Sequence, residues 1–407
     1  MGGLWAWVGF GRLHYGSNPG VFPMKRALLL FAVTLLATAA VWSAVADSPE
    51  AKPAAPAQTA KEESKEEPRK ELYDGSDKPM DPQQAALREA LFFTNAKQLT
   101  QEGQSGEGYF SPDGKRIVFQ AIRGDHPFYQ IYIKDLASGE EKKVSTGKGR
   151  TTCAFFHPTE NKIIYASSHL DPNRDAEADA EMKKIIEARK NPAVRRSYSW
   201  AFDPFMDIFE LNLDTNELKQ LTKVPGYDAE GSYSSDGKQI VFTTCRNGLG
   251  GDIYIMNADG SDVKQVTNSP GYDGGPFFSP DNKRIIFRGE VRKRSLLQLF
   301  VINADGSGEW QLTDNDSVNW GPYWHPNGKH IVYSTSTFGG HMNYEIALMN
   351  VDTGKAKRVT FMWGADVLPV FSPDGKKIMW TSRRGKDKDG NVSSQLWIAD
   401  WVGELEE

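Results

Sequence analysis

The sequence predicts an all-β, six-bladed β-propeller preceded by a signal peptide and a disordered linker. Three observations carry this: one motif recurs six times, each copy has room for four short strands, and the repeat order is offset by one strand between the two ends. The motif is an aromatic residue followed by a Pro-Asp-Gly-type turn. Its copies are Phe110-Ser111-Pro112-Asp113-Gly114, Phe156-His157-Pro158-Thr159-Glu160, Tyr233-Ser234-Ser235-Asp236-Gly237, Phe278-Ser279-Pro280-Asp281-Asn282, Trp324-His325-Pro326-Asn327-Gly328 and Phe371-Ser372-Pro373-Asp374-Gly375. Counted between second positions the spacings are 46, 77, 45, 46 and 47 residues, so one copy carries an insertion within an otherwise regular period.

Each element follows from local chemistry. The aromatic residue closes a first strand, and Pro, Asp and Gly suit a hairpin turn with one residue at positive φ. In the second copy Glu160 stands where the turn wants Gly, and Asn161 is expected to take that conformation. An alternating second strand follows, as in Arg116-Ile117-Val118-Phe119, then a variable loop and a third strand such as Asp252-Ile253-Tyr254-Ile255-Met256. A Gly-containing turn leads to a short fourth strand such as Lys264-Gln265-Val266-Thr267. Four antiparallel strands repeated six times make a propeller. The last copy stops after its third strand, Gln395-Leu396-Trp397-Ile398, while a spare Lys97-Gln98-Leu99-Thr100 precedes the first; pairing the two removes a free sheet edge.

The start of the 407-residue chain has another purpose. Residues 1–46 hold no acid; Lys25-Arg26 precedes an apolar run from Ala27 to Ala46 ending in Ala44-Val45-Ala46, the pattern of a cleaved secretory signal, with Met24 as an alternative initiator. The rival reading is an uncleaved anchor, since twenty apolar residues span a bilayer, and membrane contact is expected only in that case. Residues 47–80, rich in Ala, Pro, Glu and Lys, read as a disordered linker. Residues 81–96 read as a short helical lead-in with Ala86, Leu87, Leu91 and Phe92 as its apolar positions. The propeller proper is expected over 97–402. Net charge −5 without a long basic run argues against a nucleic-acid partner, and two cysteines exclude a cysteine-rich zinc domain.

Together the Ser-Pro-Asp-Gly-Lys, Asn-Ala-Asp-Gly-Ser and Gln-Leu-Thr signatures resemble those of the TolB-type propeller, a WD-like repeat family, over residues 97 to about 401. TolB's additional α/β domain has no counterpart here. The resemblance implies a periplasmic or secreted, non-enzymatic module that binds an envelope protein or peptide. Such propellers also form polysaccharide lyases, so a carbohydrate-binding or carbohydrate-active protein using funnel acids and a divalent cation is the alternative, with a glycan as partner.

Short stereotyped turns occupy one rim; variable loops occupy the other, which is the candidate binding face. Six residues before each turn's second position stand Ser105, Thr151, Asp228, Asp273, Asn319 and Asp366, and two further on Glu107, Cys153, Glu230, Gly275, Gly321 and Leu368. Glu107, Arg150, Asp228, Glu230, Asp273, Asn319 and Asp366 are therefore the expected funnel-rim ligands, with calcium-like cations, peptides or sugars as what an acidic ring holds. The rival for each member is that it satisfies backbone N–H groups. Arg150 is expected to pair with the funnel carboxylates. The insertion, about 169–203, carries a helix marked by Ala178, Met182, Ile185 and Ile186, and Tyr198 and Trp200 as partner-binding aromatics. No catalytic residue is expected: no Gly-x-Ser-x-Gly elbow or His-Glu-x-x-His pair occurs. His126, His169 and His341 are expected to stay apart rather than converge on a metal. Cys153 and Cys245 are expected to remain unpaired more often than bonded.

Overall fold

The computed structural model describes residues 80–406 apart from 192–201, 249, 292–295 and 339–342. The expected signal segment, nearly all of the expected linker, His341, Tyr198 and Trp200 lie outside the described residues.

Six four-stranded antiparallel sheets are present, each strand pairing with the next in sequence. The innermost strands are Gln104–Phe110, Thr151–Phe156, Asp228–Tyr233, Asp273–Phe278, Asn319–Trp324 and Asp366–Phe371. In the sixth sheet the outermost strand is Phe93–Gln98 from the other end of the sequence, aligned Phe93 with Trp401 and Gln98 with Trp397. Leu99 continues the ladder onto Leu396 (2.7 Å), and Thr100 Oγ1 donates to Gln395 Oε1 (2.8 Å). The ring is sealed as expected, but its closing strand starts four residues before Lys97. This shortens the lead-in to one helix, α1 (Pro82–Glu89), capped by Asp81, whose carboxylate accepts from Gln83 and Gln84 N–H groups. The buried positions of α1 are Ala85 and Glu89; Leu87 and Leu91 are exposed, contrary to the apolar reading.

The turns obey one hydrogen-bond rule. Ser111, Ser234, Ser279 and Ser372 donate to Asp113, Asp236, Asp281 and Asp374 (2.6–2.7 Å) and accept an N–H five residues on. That bond and the neighbouring N–H groups hold these four carboxyls below the ordinary aspartate value. Gly114, Gly237, Asn282, Gly328 and Gly375 take the positive φ the turn needs. Blade 2 differs from expectation: neither Glu160 nor Asn161 has positive φ. His157 Nδ1 instead accepts the N–H groups of Thr159 and Glu160, and Asn161 is engaged by Arg116 and Asp214.

The core lies between blade faces. Ile117, Phe119 and Ile131 of blade 1 share a cluster with Phe156, Ile163 and Tyr165 of blade 2 and with Met379, Leu396 and Ile398 of blade 6. Because the sealed sixth blade packs on the first, its closure is coupled to the core.

Candidate functional site

At the axis, each innermost strand breaks register, between Gly106 and Gly108 in the first blade and between the second and fifth residues in the other five, and one residue inside each break is left-handed: Glu107, Cys153, Glu230, Gly275, Gly321 and Leu368, with φ from 48 to 59°. These are β-bulges. For the four non-glycine members the conformation costs about 1 kcal/mol or more each. The six repeats therefore impose one backbone device around the bore, which the alignment located without revealing its conformation.

Two residues further on, Tyr109, Phe155, Phe277 and Tyr323 turn toward the axis. Tyr109 lies 5.1 Å from Phe155, 5.6 Å from Phe277 and 6.1 Å from Tyr323 between ring centroids, and Phe277 lies 5.2 Å from Tyr323. Rings from opposite blades are in contact, so the bore is plugged at this level and the variable rim opens into a funnel with an aromatic floor. Sequence reasoning missed this floor; its signal was the residue preceding each motif aromatic, itself aromatic in four copies.

Above the floor sits a polar group of mixed charge. Arg288 Nη2 donates to Glu230 Oε1 (2.8 Å) and to the Tyr272 hydroxyl (2.8 Å), which lies 2.8 Å from both Glu230 oxygens. Thr243 and the Gly275 N–H complete the set around Glu230. Gly274 and Gly275 make it possible: a Cβ on Gly275 would collide with Arg288 Nη1, and one on Gly274 with the Tyr272 hydroxyl. Among the described residues, Glu107 has no such guanidinium. It accepts from the Tyr109 hydroxyl (3.3 Å), and burial, then the Glu230 charge, push it up to about 7 against the pull of Cys153, Arg288 and Tyr109.

The remaining expected ring members are placed differently. Asp228, Asp273, Asn319 and Asp366 open the innermost strands but are buried, not presented on an open rim. Asp228 is met by Arg246 (3.2 Å) and Asp366 by Arg384 and the Trp380 indole N–H. Asn319 donates to Gln298 and Asn315. Their partners are mostly side chains rather than the backbone N–H groups of the rival reading. The reason is a guanidinium twelve residues past the motif's second position, at Arg246 and Arg384, which swings back over its own strand; both were overlooked in the sequence. Arg150 is a correction: its guanidinium lies over Phe128 (3.8 Å) and faces Glu177 (3.9 Å) and Asp203 (3.8 Å), not the funnel acids. The insertion brings those acids to it before any funnel carboxylate.

That insertion contains α2 (Arg174–Lys190), with Asp175 and Glu177 in its first turn and Arg189 and Lys190 in its last, matching the helix dipole. Ile185 and Ala188 are buried, whereas Ile186 is exposed and off the expected stripe. Where the described chain resumes, Phe202 packs edge-on against Tyr227 (5.2 Å) and beside Tyr272 (5.7 Å), remaining 38% exposed. Tyr227 and Tyr272, which recur as Gly226-Tyr227-Asp228 and Gly271-Tyr272-Asp273, thus form a seat for an aromatic residue beside the funnel.

His126 is held by the Phe128 backbone, and His169 by the Ser167 hydroxyl (2.9 Å) and the Phe209 ring (4.4 Å). Ser167 and His169 occupy the places of Thr244 and Arg246, so their contact is part of the repeat rather than a nucleophile–base pair. Among the described residues no three His, Cys, Asp or Glu side chains group to hold a metal, and both cysteines are free. No described helix is long and apolar enough to cross a membrane.

Asp273 has a measurable consequence. Burial first of all raises its carboxyl to about 7, against the pull of the Thr267 and Ser269 hydroxyls. The folded protein then binds this proton more tightly than the unfolded chain, so stability is full below about pH 4 and is lost as pH rises through 7. Asp273→Asn is expected to remove that fall, gaining about 2–4 kcal/mol over wild type between pH 4 and pH 8. Urea titrations at both pH values check it; parallel curves for the two proteins refute it.

Residues 247–341 match the family model described as the TolB beta propeller domain. Among solved structures, TolB from Acinetobacter baumannii is similar at 21% identity and TM-score 0.48, over 73% of this chain and 63% of that one, so this chain spans less than two thirds of its length. The putative TolB from Agrobacterium tumefaciens is similar at 19% identity and TM-score 0.51, over 74% of this chain and 91% of that one. Oligogalacturonate lyase from Vibrio parahaemolyticus is similar at 13% identity and TM-score 0.45, over 75% and 93%. At these identities the structural likeness is one of fold. With six motif repeats, a ring sealed by its leading strand and a matching family model within it, this chain carries a TolB-like six-bladed β-propeller.

Proposed function

We propose that this propeller is an exported, non-enzymatic binding module that holds a segment of an envelope protein across the funnel mouth. The observation that carries the reading is Phe202, seated on Tyr227 and Tyr272 yet more than a third exposed, beside a funnel whose Glu107 carboxyl has no guanidinium of its own. An exposed ring at a concave polar mouth is what a bound segment buries first. Leu170, Ile186 and Phe205, in the insertion and just after it, and Val224, in the connection from blade 2 to blade 3, are also exposed apolar residues. The leader-like Lys25–Ala46 stretch and the TolB resemblance support an envelope location.

The glycan alternative finds less support in the side chains. His126 and His169 are engaged locally, and the charge a cation would neutralise at Asp228 and Asp366 is met by Arg246 and Arg384.

A photo-crosslinking residue at position 202 is expected to capture a protein from envelope extracts, whereas the same residue at Lys115, on the opposite rim, captures none. Equal labelling from both rims, or none from 202, overturns the reading; an adduct to glycan alone would favour the carbohydrate alternative.

A further inference from the structure

Three junctions on the variable rim are assembled from the same parts: a carboxylate opening a third strand, a Thr following the fourth, and an Asp opening the next blade. Between blades 2 and 3 these are Asp207, Thr222 and Asp228, with Thr222 donating to Asp207 (3.1 Å). Arg246 pairs with Asp228 while its guanidinium lies 5.5 Å from the Phe242 ring centroid and 5.0 Å from that of Tyr254. Between blades 5 and 6 they are Glu345, Thr360 and Asp366, with Thr360 donating to Glu345 (2.6 Å). There Arg384 pairs with Asp366 and lies over Trp380 (5.4 Å) and Trp397 (5.8 Å), and Arg358 meets Glu345. Each junction is a carboxylate pair, the Asp of the next blade buried, answered by a guanidinium lying on an aromatic pair.

Among the described residues, the junction between blades 3 and 4 keeps every part but the cation. Asp252, Thr267 and Asp273 hold the corresponding places, and the ring pair is Phe287 and Phe300, stacked at 5.6 Å. Arg246 and Arg384 each stand two residues beyond the partner of their Asp, Thr244 and Ser382; the partner of Asp273 is Gly289, which puts Val291 in the arginine's position. Asp273 is 4% exposed and its Oδ2 has no hydrogen-bond partner; Asp252 Oδ1 is also buried and unpartnered. Leaving a buried carboxylate oxygen unmet is costly, and the sister junctions show how this fold meets it. Gly289 lies against both groups: a Cβ there would lie 2.8 Å from Asp273 Oδ1 and 3.0 Å from the Phe300 ring, so carboxylate and ring are neighbours, as at the sister junctions.

We infer that the Asp273–Phe300 junction takes the guanidinium of an arginine side chain from the bound partner, in the role Arg246 and Arg384 play within the chain. A planar guanidinium satisfies both surfaces at once, donating in its plane to carboxylate and lying flat on the ring; an ammonium or a metal ion does not. Asp252 and Glu309 add negative potential at Asp273. The assignment names one contact of the proposed binding face and so rests on that reading, but it fails separately. Peptide binding that ignores Asp273→Asn overturns the arginine contact while crosslinking of the wild-type protein from position 202 still stands, and absent crosslinking from 202 leaves the peptide result standing.

The test titrates the peptide acetyl-Gly-Arg-Gly-amide, and its citrulline counterpart, into the full-length protein by calorimetry. Arginine peptide is expected to bind, with affinity falling roughly tenfold or more for citrulline or for Asp273→Asn. Val291→Arg supplies the guanidinium from within, so it is expected to abolish peptide binding and raise the unfolding midpoint; placed in an Asp273→Asn background, it is expected to give no rise over Asp273→Asn alone. Equal binding to wild type and Asp273→Asn, or no binding to wild type, overturns the inference. Binding that appears only in Arg292→Gln/Arg294→Gln also overturns it, because the chain's own arginines would then fill the place.

Discussion

Removing residues 81–100 from the chain is expected to abolish cooperative folding of the ring. The deletion takes away the outer strand of the sixth blade and with it the pairing to Trp397–Trp401. Phe93, 4% exposed, leaves a cavity against Trp380, whose ring centroid is 5.2 Å away, at a cost of about 3–5 kcal/mol. Several ladder bonds add about 1 kcal/mol each, among them Leu99 to Leu396 and the Leu396 N–H to Thr100 Oγ1 (2.9 Å). Glu89 goes as well, and it holds the Phe361 and Met362 N–H groups and Arg384. The total of about 8–12 kcal/mol is comparable with the whole stability of an ordinary domain. It also bares the edge of Gln395–Trp401, inviting aggregation. Tryptophan fluorescence in urea together with size-exclusion chromatography reads the outcome; a monomer with an unshifted midpoint would show that the seal contributes nothing.

Arg384→Met should destabilise the protein by about 3–5 kcal/mol, the usual cost of stranding buried carboxylates. The Arg384 side chain is 9% exposed, donates to Glu89 (2.9 and 3.0 Å) and to Asp366, and lies over Trp380 and Trp397. Methionine keeps contact with the rings but leaves Asp366 and Glu89 without their cation. Burial already raises the Asp366 carboxyl and Arg384 is the largest influence pulling it back, so its loss raises that carboxyl further. An acid raised in the folded state favours folding at low pH and loses that advantage as pH increases. The deficit of the variant against wild type is therefore expected to be larger at pH 8 than at pH 5, and denaturant midpoints at the two values decide; a deficit that shrinks with pH contradicts the assignment.

The contrast between Asp228, Asp273 and Asp366 shows where sequence reading stops. The alignment placed all three on one level of the ring, because repeat period and turn position are local properties of the chain. Whether each is answered by arginine was also written there, twelve residues past each motif, as Arg246, Val291 and Arg384. It acquires meaning only once the second strand has folded back beside the first. Arg150 illustrates the same boundary: its charge and neighbours suggested the funnel acids, while the insertion supplied Glu177 and Asp203 closer by.

By itself the sequence determined the number of blades, the strand order within each, the turn chemistry and the sealing of the last blade by the first strand. Each of these depends on residues adjacent in sequence, or on a pattern repeated often enough to be counted. Only the tertiary structure decided that the bore is plugged by Tyr109, Phe155, Phe277 and Tyr323, that Asp228, Asp273 and Asp366 are buried, and that Phe202 lies against Tyr227 and Tyr272. The physical reason is convergence: side chains tens to hundreds of residues apart meet at an axis to which each blade contributes one residue, and no local periodicity records which of them will touch.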